Sequence, residues 1–300
     1  MSEQVKESIR VLLSEAIDYA GLFPPAGLSM PESVINYATY RNSNYRWMLG
    51  RFVCPVNRLD EFTESARDFF PREEGDEWRI SALATEDLRQ TADSVNEFNE
   101  AFSGKARIDS LELKSQSEAE IEAAVAVLPK NLTNYFELPL SESLPETISA
   151  LAVNRQRAKI RTGGVTSDLF PSTNDVIRFI RTCVAANTPF KATAGLHHPV
   201  RCFKPLTYEP ESPSGTMHGF LNVFLATGFA REGYRPEMLE QVMEEEFEEV
   251  FEFSDNDAIW QKDHVLTVYQ IEALRAKGIN SFGSCSFEEP IADLQELGIL

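Results

Sequence analysis

A (β/α)8 barrel of the α/β class is the fold this sequence predicts, and three observations carry the prediction. Short apolar runs alternate with amphipathic stretches along most of the chain, which implies βαβ units and a parallel sheet. Such units approach eight in number within roughly 250 residues, the arithmetic of a closed parallel barrel. No linker rich in Gly or Ser and no low-complexity tract divides the 300 residues. The expectation is therefore one domain over 1–300, with residues 1–45 as a helical N-terminal extension packed on the barrel. A doubly wound open sheet is the competing architecture, with its ligand in a crevice at a switch point.

The elements follow in order. Arg51–Pro55 is the first expected strand and Trp78–Ala84 the second, followed by a helix from Glu86 to Phe102. Ser110–Lys114 is the third; its helix, Ser117–Leu128, opens with Ser117 and Glu120 spaced as a capping box. Asn134–Leu138 is the fourth strand, and Ala158–Arg161 the fifth, before a helix over Thr173–Ala186. Pro189–Ala194 is the sixth and Ile279–Ser284 the eighth, with a terminal helix opened by Ser286 and Glu289. For the seventh, Glu249–Ser254 is preferred over Phe220–Phe224, which reads equally well as the start of a helix.

Composition narrows the function. The chain carries 47 Asp+Glu against 28 Lys+Arg, a formal charge of −19, with 43% hydrophobic and 25% charged residues. That apolar content fills a core and excludes general disorder. The acidity disfavours nucleic acid and a polybasic membrane contact as partners. A basic region followed by an apolar one is missing at the N-terminus, and no run approaches 18 apolar residues, so neither a signal peptide nor a spanning helix is expected. Cys54, Cys183, Cys202 and Cys285 form no CxxC pair; reduced thiols of a cytoplasmic protein fit them best. A homo-oligomer is compatible with all of this. The signatures GxGxxG, GxxxxGK[ST], HExxH and GxSxG do not occur.

In a barrel, chemistry gathers at the C-terminal strand ends and the loops beyond them. Lys191 stands out, because lysine is depleted in strands and rarely buried without a purpose. Inside a barrel it loses hydration, its pKa is expected to fall, and a neutral amine attacks carbonyls to form a Schiff base. Lys159, on the preceding strand, would depress that pKa further; either lysine could instead reach solvent at a strand end. Glu137 or His197 would shuttle the proton. Arg161, Gly163, Gly164 and Thr193, with the turn Gly283–Ser284–Cys285–Ser286, are candidates to hold an anion, phosphorylated or not, through guanidinium, backbone N–H groups and a helix N-terminus; tight turns alone would explain the glycines. His198 and His218 join the candidate binding residues. His197, His198, His218 and Glu137 form an alternative set for a divalent metal, with hydrolase or isomerase chemistry; otherwise no cofactor is expected. Cys285 reads as core filler more readily than as a nucleophile. The Pro- and Gly-containing stretch Thr207–Met217 reads as a mobile loop with a conceivable lid role.

Asp18–Pro25, Lys159–Gly164, Phe190–His198 and Ser281–Pro290 together resemble a family of uncharacterised bacterial proteins. Locally, Phe190-Lys191-Ala192-Thr193-Ala194-Gly195 resembles the Lys-Thr-Ser-Thr-Gly strand of deoxyribose-phosphate aldolases, and Phe282–Ser286 resembles their phosphate loop. In those aldolases a Lys-x-Ser-Gly-Gly strand follows the Schiff-base strand, whereas Lys159-Ile160-Arg161-Thr162-Gly163-Gly164 precedes it here. The resemblance implies a Schiff-base role for Lys191 and a carbon–carbon lyase acting on a small anionic carbonyl metabolite. A non-catalytic binding protein on a barrel scaffold is the remaining alternative.

Overall fold

The structure is a computed structural model describing residues 5–72 and 75–300. Eight parallel strands close a barrel. They are β1 (Ile17–Tyr19), β2 (Leu49–Pro55), β3 (Trp78–Leu83), β4 (Ala106–Lys114), β5 (Thr133–Glu137), β6 (Arg157–Arg161), β7 (Phe190–Thr193) and β8 (Ile279–Ser284). Each pairs with its neighbour in sequence, and β1 closes the ring on β8 through Ile17–Phe282, Asp18–Gly283 and Tyr19–Ser284. The open-sheet alternative is thereby excluded.

The barrel is as the sequence predicts, but its strand count is reached differently. β1 lies inside the stretch assigned to an N-terminal extension; among the described residues only the helix Glu7–Leu13 precedes it. At three residues it is too short for a visible alternation, and all three are buried. Neither candidate for the seventh strand belongs to the barrel. Phe220–Phe224 opens the helix Phe220–Arg231, whose residues are buried all round from Phe220 to Phe229. Phe251–Phe253 is a strand, but of a separate three-stranded antiparallel sheet with Asp257–Trp260 and His264–Thr267. Thr207–Met217 is the turn and return strand of a hairpin pairing Cys202–Pro205 with Ser214–Met217.

The crossover helices form where period and caps place them. Ser29 and Glu32 close a capping box at the start of Met30–Arg41. Ser117 accepts from the Glu120 N–H at the start of Glu118–Val127, and Ser172 does the same for Asp175 at Thr173–Ala185. Ser286 likewise accepts from the Glu289 N–H.

Most apolar side chains point outward from the strands; Val53 and Leu83, in register with Ser81 and Glu112, instead face the mouth. Phe52, Ile80 and Ile108 face one another in register, as do Ile160, Ala192 and Phe282, and all are fully buried against the helices. The alternate residues fill the interior, and many are charged: Arg51, Arg79, Asp109, Arg157, Lys159 and Lys191. A bulge between Ile80 and Ser81 shifts the register on β4. There Asp109 meets Arg51 and Arg79 while Ser110 meets Ser81, so two successive side chains reach the interior.

Candidate functional site

Strand alternation places Asp18, Ser81, Glu112, Glu137, Lys159 and Lys191 at one level near the C-terminal ends of the strands. Lys191 Nζ donates to Asp18 Oδ2 at 2.5 Å and to Glu112 Oε1 at 2.7 Å. Lys159 Nζ lies 2.8 Å from Glu112 Oε2 and 2.9 Å from Glu137 Oε2. The charges therefore alternate along one chain: Asp18, Lys191, Glu112, Lys159, Glu137. Ser281 donates to Asp18 Oδ2, the Arg51 N–H donates to Asp18 Oδ1, and Ser81 donates to Glu112 Oε1. Lys191 also lies 5.4 Å from the centre of the Tyr135 ring. Lys191 is 1% exposed and Lys159 5%.

The expected fall in the Lys191 pKa is reversed. Burial alone would lower it, but Asp18 and Glu112 outweigh burial and raise it. Lys159 follows the same logic, its burial outweighed by Glu112 and Glu137. It is no repulsive neighbour for Lys191, because Glu112 stands between the two ammoniums. Glu112, whose burial would raise its pKa, is held well below the usual carboxylate range by the lysines.

Above the ladder opens a cavity of about 1180 Å³. Lys159, Lys191, Glu112 and Glu137 line its floor, and Arg161, Thr193, His197, Gly164 and Gly283 line the walls. Arg161 and Lys114 also line it, and among the described residues neither makes an ion pair. Asp18 lies behind Lys191 and does not contribute to the lining.

The remaining predicted residues are placed elsewhere. Gly163 backs onto the neighbouring loop: a Cβ there would come within 2.5 Å of Phe170 and 2.9 Å of the Gly195 Cα, so packing alone requires a glycine. Ser284 Oγ lies 3.3 Å from His197 Nδ1, and Ser286 is occupied at the start of the terminal helix. His198 Nδ1 pairs with Asp293 at 2.6 Å, and His218 Nε2 donates to the Pro171 carbonyl at 2.9 Å. Among the described residues no three His, Cys, Asp or Glu side chains are grouped so as to hold a metal ion. The set His197, His198, His218 and Glu137 is thus not brought together.

His197 is nearly buried, and that burial, with His198 beside it, pushes its pKa down to about 4. Glu289 lies 3.7 Å from Nδ1, beyond hydrogen-bond reach, so the imidazole is neutral at pH 7. Cys285 lines the cavity, but burial raises its thiol pKa, which does not suit a nucleophile. Tyr208, at the hairpin tip, donates to Glu289 at 3.1 Å and lies 3.8 Å from Cys285 Sγ.

Sequence reasoning missed Asp18 as a site residue and gave Glu112 no role. A signal existed in both cases: Asp18 lies between Ile17 and Tyr19 and Glu112 between Leu111 and Leu113, each a charge alternating with apolar residues.

No family model and no curated protein matches the chain. Among solved structures it is similar to the catalytic domain of a hyperthermophilic chitinase from Pyrococcus furiosus, at 12% identity over 61% of this chain and 74% of that chain, with a TM-score of 0.36. A likeness of that size carries no argument about chemistry. No helix among the described residues is long and apolar enough to cross a membrane.

Proposed function

We propose that the protein is a barrel enzyme for carbonyl chemistry, a lyase or isomerase, acting on an anionic carbonyl compound bound in the mouth cavity. The observation that carries this reading is the ladder of two buried lysines and three carboxylates, of which Lys191, Lys159, Glu112 and Glu137 floor the cavity and Asp18 backs them. Such a ladder costs desolvation that an apolar barrel interior avoids. Lys159 and Glu137 together offer a fixed positive charge and a carboxylate 2.9 Å apart. A carbonyl oxygen accepting from Lys159 would place its neighbouring carbon near Glu137. Glu137 takes the proton from that carbon, the C–H pair forms a carbon–carbon double bond, and the carbonyl π pair moves onto the oxygen as an enolate, stabilised by Lys159. Retro-aldol cleavage at the same carbon yields the same enolate: Glu137 takes the proton of the β-hydroxyl, the departing fragment leaves as an aldehyde, and the pair of the broken carbon–carbon bond enters the enolate. Arg161 and Lys114 hold the substrate's anionic group at the rim.

A Schiff base on Lys191 is the other form of this chemistry, and the local resemblance to aldolases favours it. It requires a neutral amine, whereas Asp18 and Glu112 keep Lys191 an ammonium, so enolisation is the better fit. Two measurements test the reading with a panel of 2-oxo acids and phosphorylated aldehydes. The first is proton–deuterium exchange at the carbon beside the carbonyl, expected for the wild type and reduced about 10²–10⁴-fold in Glu137→Gln. The second is borohydride trapping read by mass spectrometry. An adduct on Lys191 would replace enolisation by the Schiff-base form; neither exchange nor trapping across the panel would sink both.

A further inference from the structure

The cavity does not stop at the ladder. Its lining continues outward past Val53 to Leu83, the last residue of β3, and Leu88 beyond it, and to Ala123 and Val127 on the helix Glu118–Val127, with the exposed Glu86, Asp87, Arg89 and Glu120 at its outer rim. Phe23 and Pro25, after β1, complete an apolar side. At about 1180 Å³ the space exceeds the usual range of roughly 300–1,000 Å³ for small-molecule sites. An oxo acid of three or four carbons would occupy only the charged end. The far end would then leave Leu83, Leu88 and Val127, all only partly covered by the protein itself, against water.

From this continuity of a charged floor with an apolar groove, we infer that the substrate is bipartite: a carbonyl acid whose head lies over Lys159 and Glu137 and whose unbranched alkyl chain runs between Leu83–Leu88 and the helix Glu118–Val127. The inference rests on the carbonyl reading for the head and on the groove alone for the chain. Length discrimination follows, since each methylene moved from water to the groove tightens binding about fourfold until the groove is filled.

The test is calorimetric titration of the full chain with pyruvate, 2-oxobutanoate, 2-oxohexanoate and 2-oxooctanoate, alongside butanoate, hexanoate and octanoate. The expected result is affinity that climbs with chain length in the oxo-acid series. Ala123→Glu places a charge in the groove wall at an exposed helix position, where glutamate is well tolerated. It is expected to weaken 2-oxooctanoate at least tenfold while leaving pyruvate unchanged. Affinity independent of length, equal weakening of pyruvate and 2-oxooctanoate by Ala123→Glu, or no binding by any acid at millimolar concentration overturns the groove. Octanoate binding as tightly as 2-oxooctanoate would keep the groove and remove the carbonyl reading. A preference for oxo acids that ignores length would do the reverse.

Discussion

Two charged layers fill the barrel, and they are built from different cations. In the layer nearer the N-terminal strand ends, Asp109 is shared by Arg51, in bidentate contact at 2.5 and 3.1 Å, and Arg79, at 2.9 Å; Arg79 also pairs with Glu15. Arg157 completes it, donating to Asn280 and Tyr135. Nearer the mouth, lysines replace arginines, and the partners form the ladder that floors the cavity. Guanidinium is planar, stays charged and fills its hydrogen-bonding capacity against fixed partners. Ammonium is compact and can turn a proton toward a substrate. The lower layer reads as a plug; the upper one has the chemistry of a site. Position along the strand, and not the presence of charge, separates structure from function here.

The comparison can be broken most directly at Glu112. Glu112→Leu leaves two buried ammoniums without their shared carboxylate and is expected to cost about 3–5 kcal/mol in urea unfolding. A loss below about 1 kcal/mol would mean that water reaches the ladder freely and that it is no rigid floor.

Acid titration comes next. The lowered pKa of Glu112 contributes stability present above the ordinary carboxyl value of about 4.3 and lost as pH falls below it. The raised lysine values contribute stability present below about 10.4 and lost as pH rises through the raised values. His197 acts earlier than either. Its folded pKa, near 4, lies below the free value of about 6.5, so its contribution is present above 6.5 and lost as pH falls toward 4. That loss is on the order of 3 kcal/mol. The stability of His197→Asn should therefore decline less than that of the wild type between pH 7 and 4; parallel curves would show that the imidazole is not buried neutral.

At the lower layer, Asp109→Asn should cost about 1–3 kcal/mol, because Arg79 retains Glu15 and some solvent while Arg51 loses its ion pair. It should leave ligand binding at the mouth unchanged; a parallel loss of binding would show the two layers to be one unit. The smallest effect on stability belongs to Arg161→Ala, an exposed position, within about 0.5 kcal/mol. Oxo-acid affinity should nevertheless fall, by about tenfold for a lost charge-assisted contact. A stability loss without an affinity loss would remove Arg161 from the site.

The legible part of the sequence was the part with period. Seven of the eight barrel strands announce themselves as apolar runs bounded by turns, and Lys159, Lys191, Glu137 and Arg161 stand out as charges within them. β1 did not, because three residues carry no period and its neighbours Glu15 and Ala20 give no boundary. The stretch between β7 and β8 misled for a different reason. The segment Phe251–Phe253 has true strand character, and local pattern cannot tell a barrel strand from one in a side sheet. The histidines looked like a cluster because they are close in sequence, yet Asp293 and the Pro171 carbonyl draw His198 and His218 apart.

By itself, then, the order of residues determined the βα rhythm, the barrel it closes into and the strands that carry buried charge, since these follow from alternation and burial along single segments. Only the tertiary structure decided the protonation of Lys191 and Lys159. Each lysine's charge is set by carboxylates from other strands, Asp18, Glu112 and Glu137. At contact distance in a dry interior their attraction outweighs the loss of water that the lysine position alone would predict.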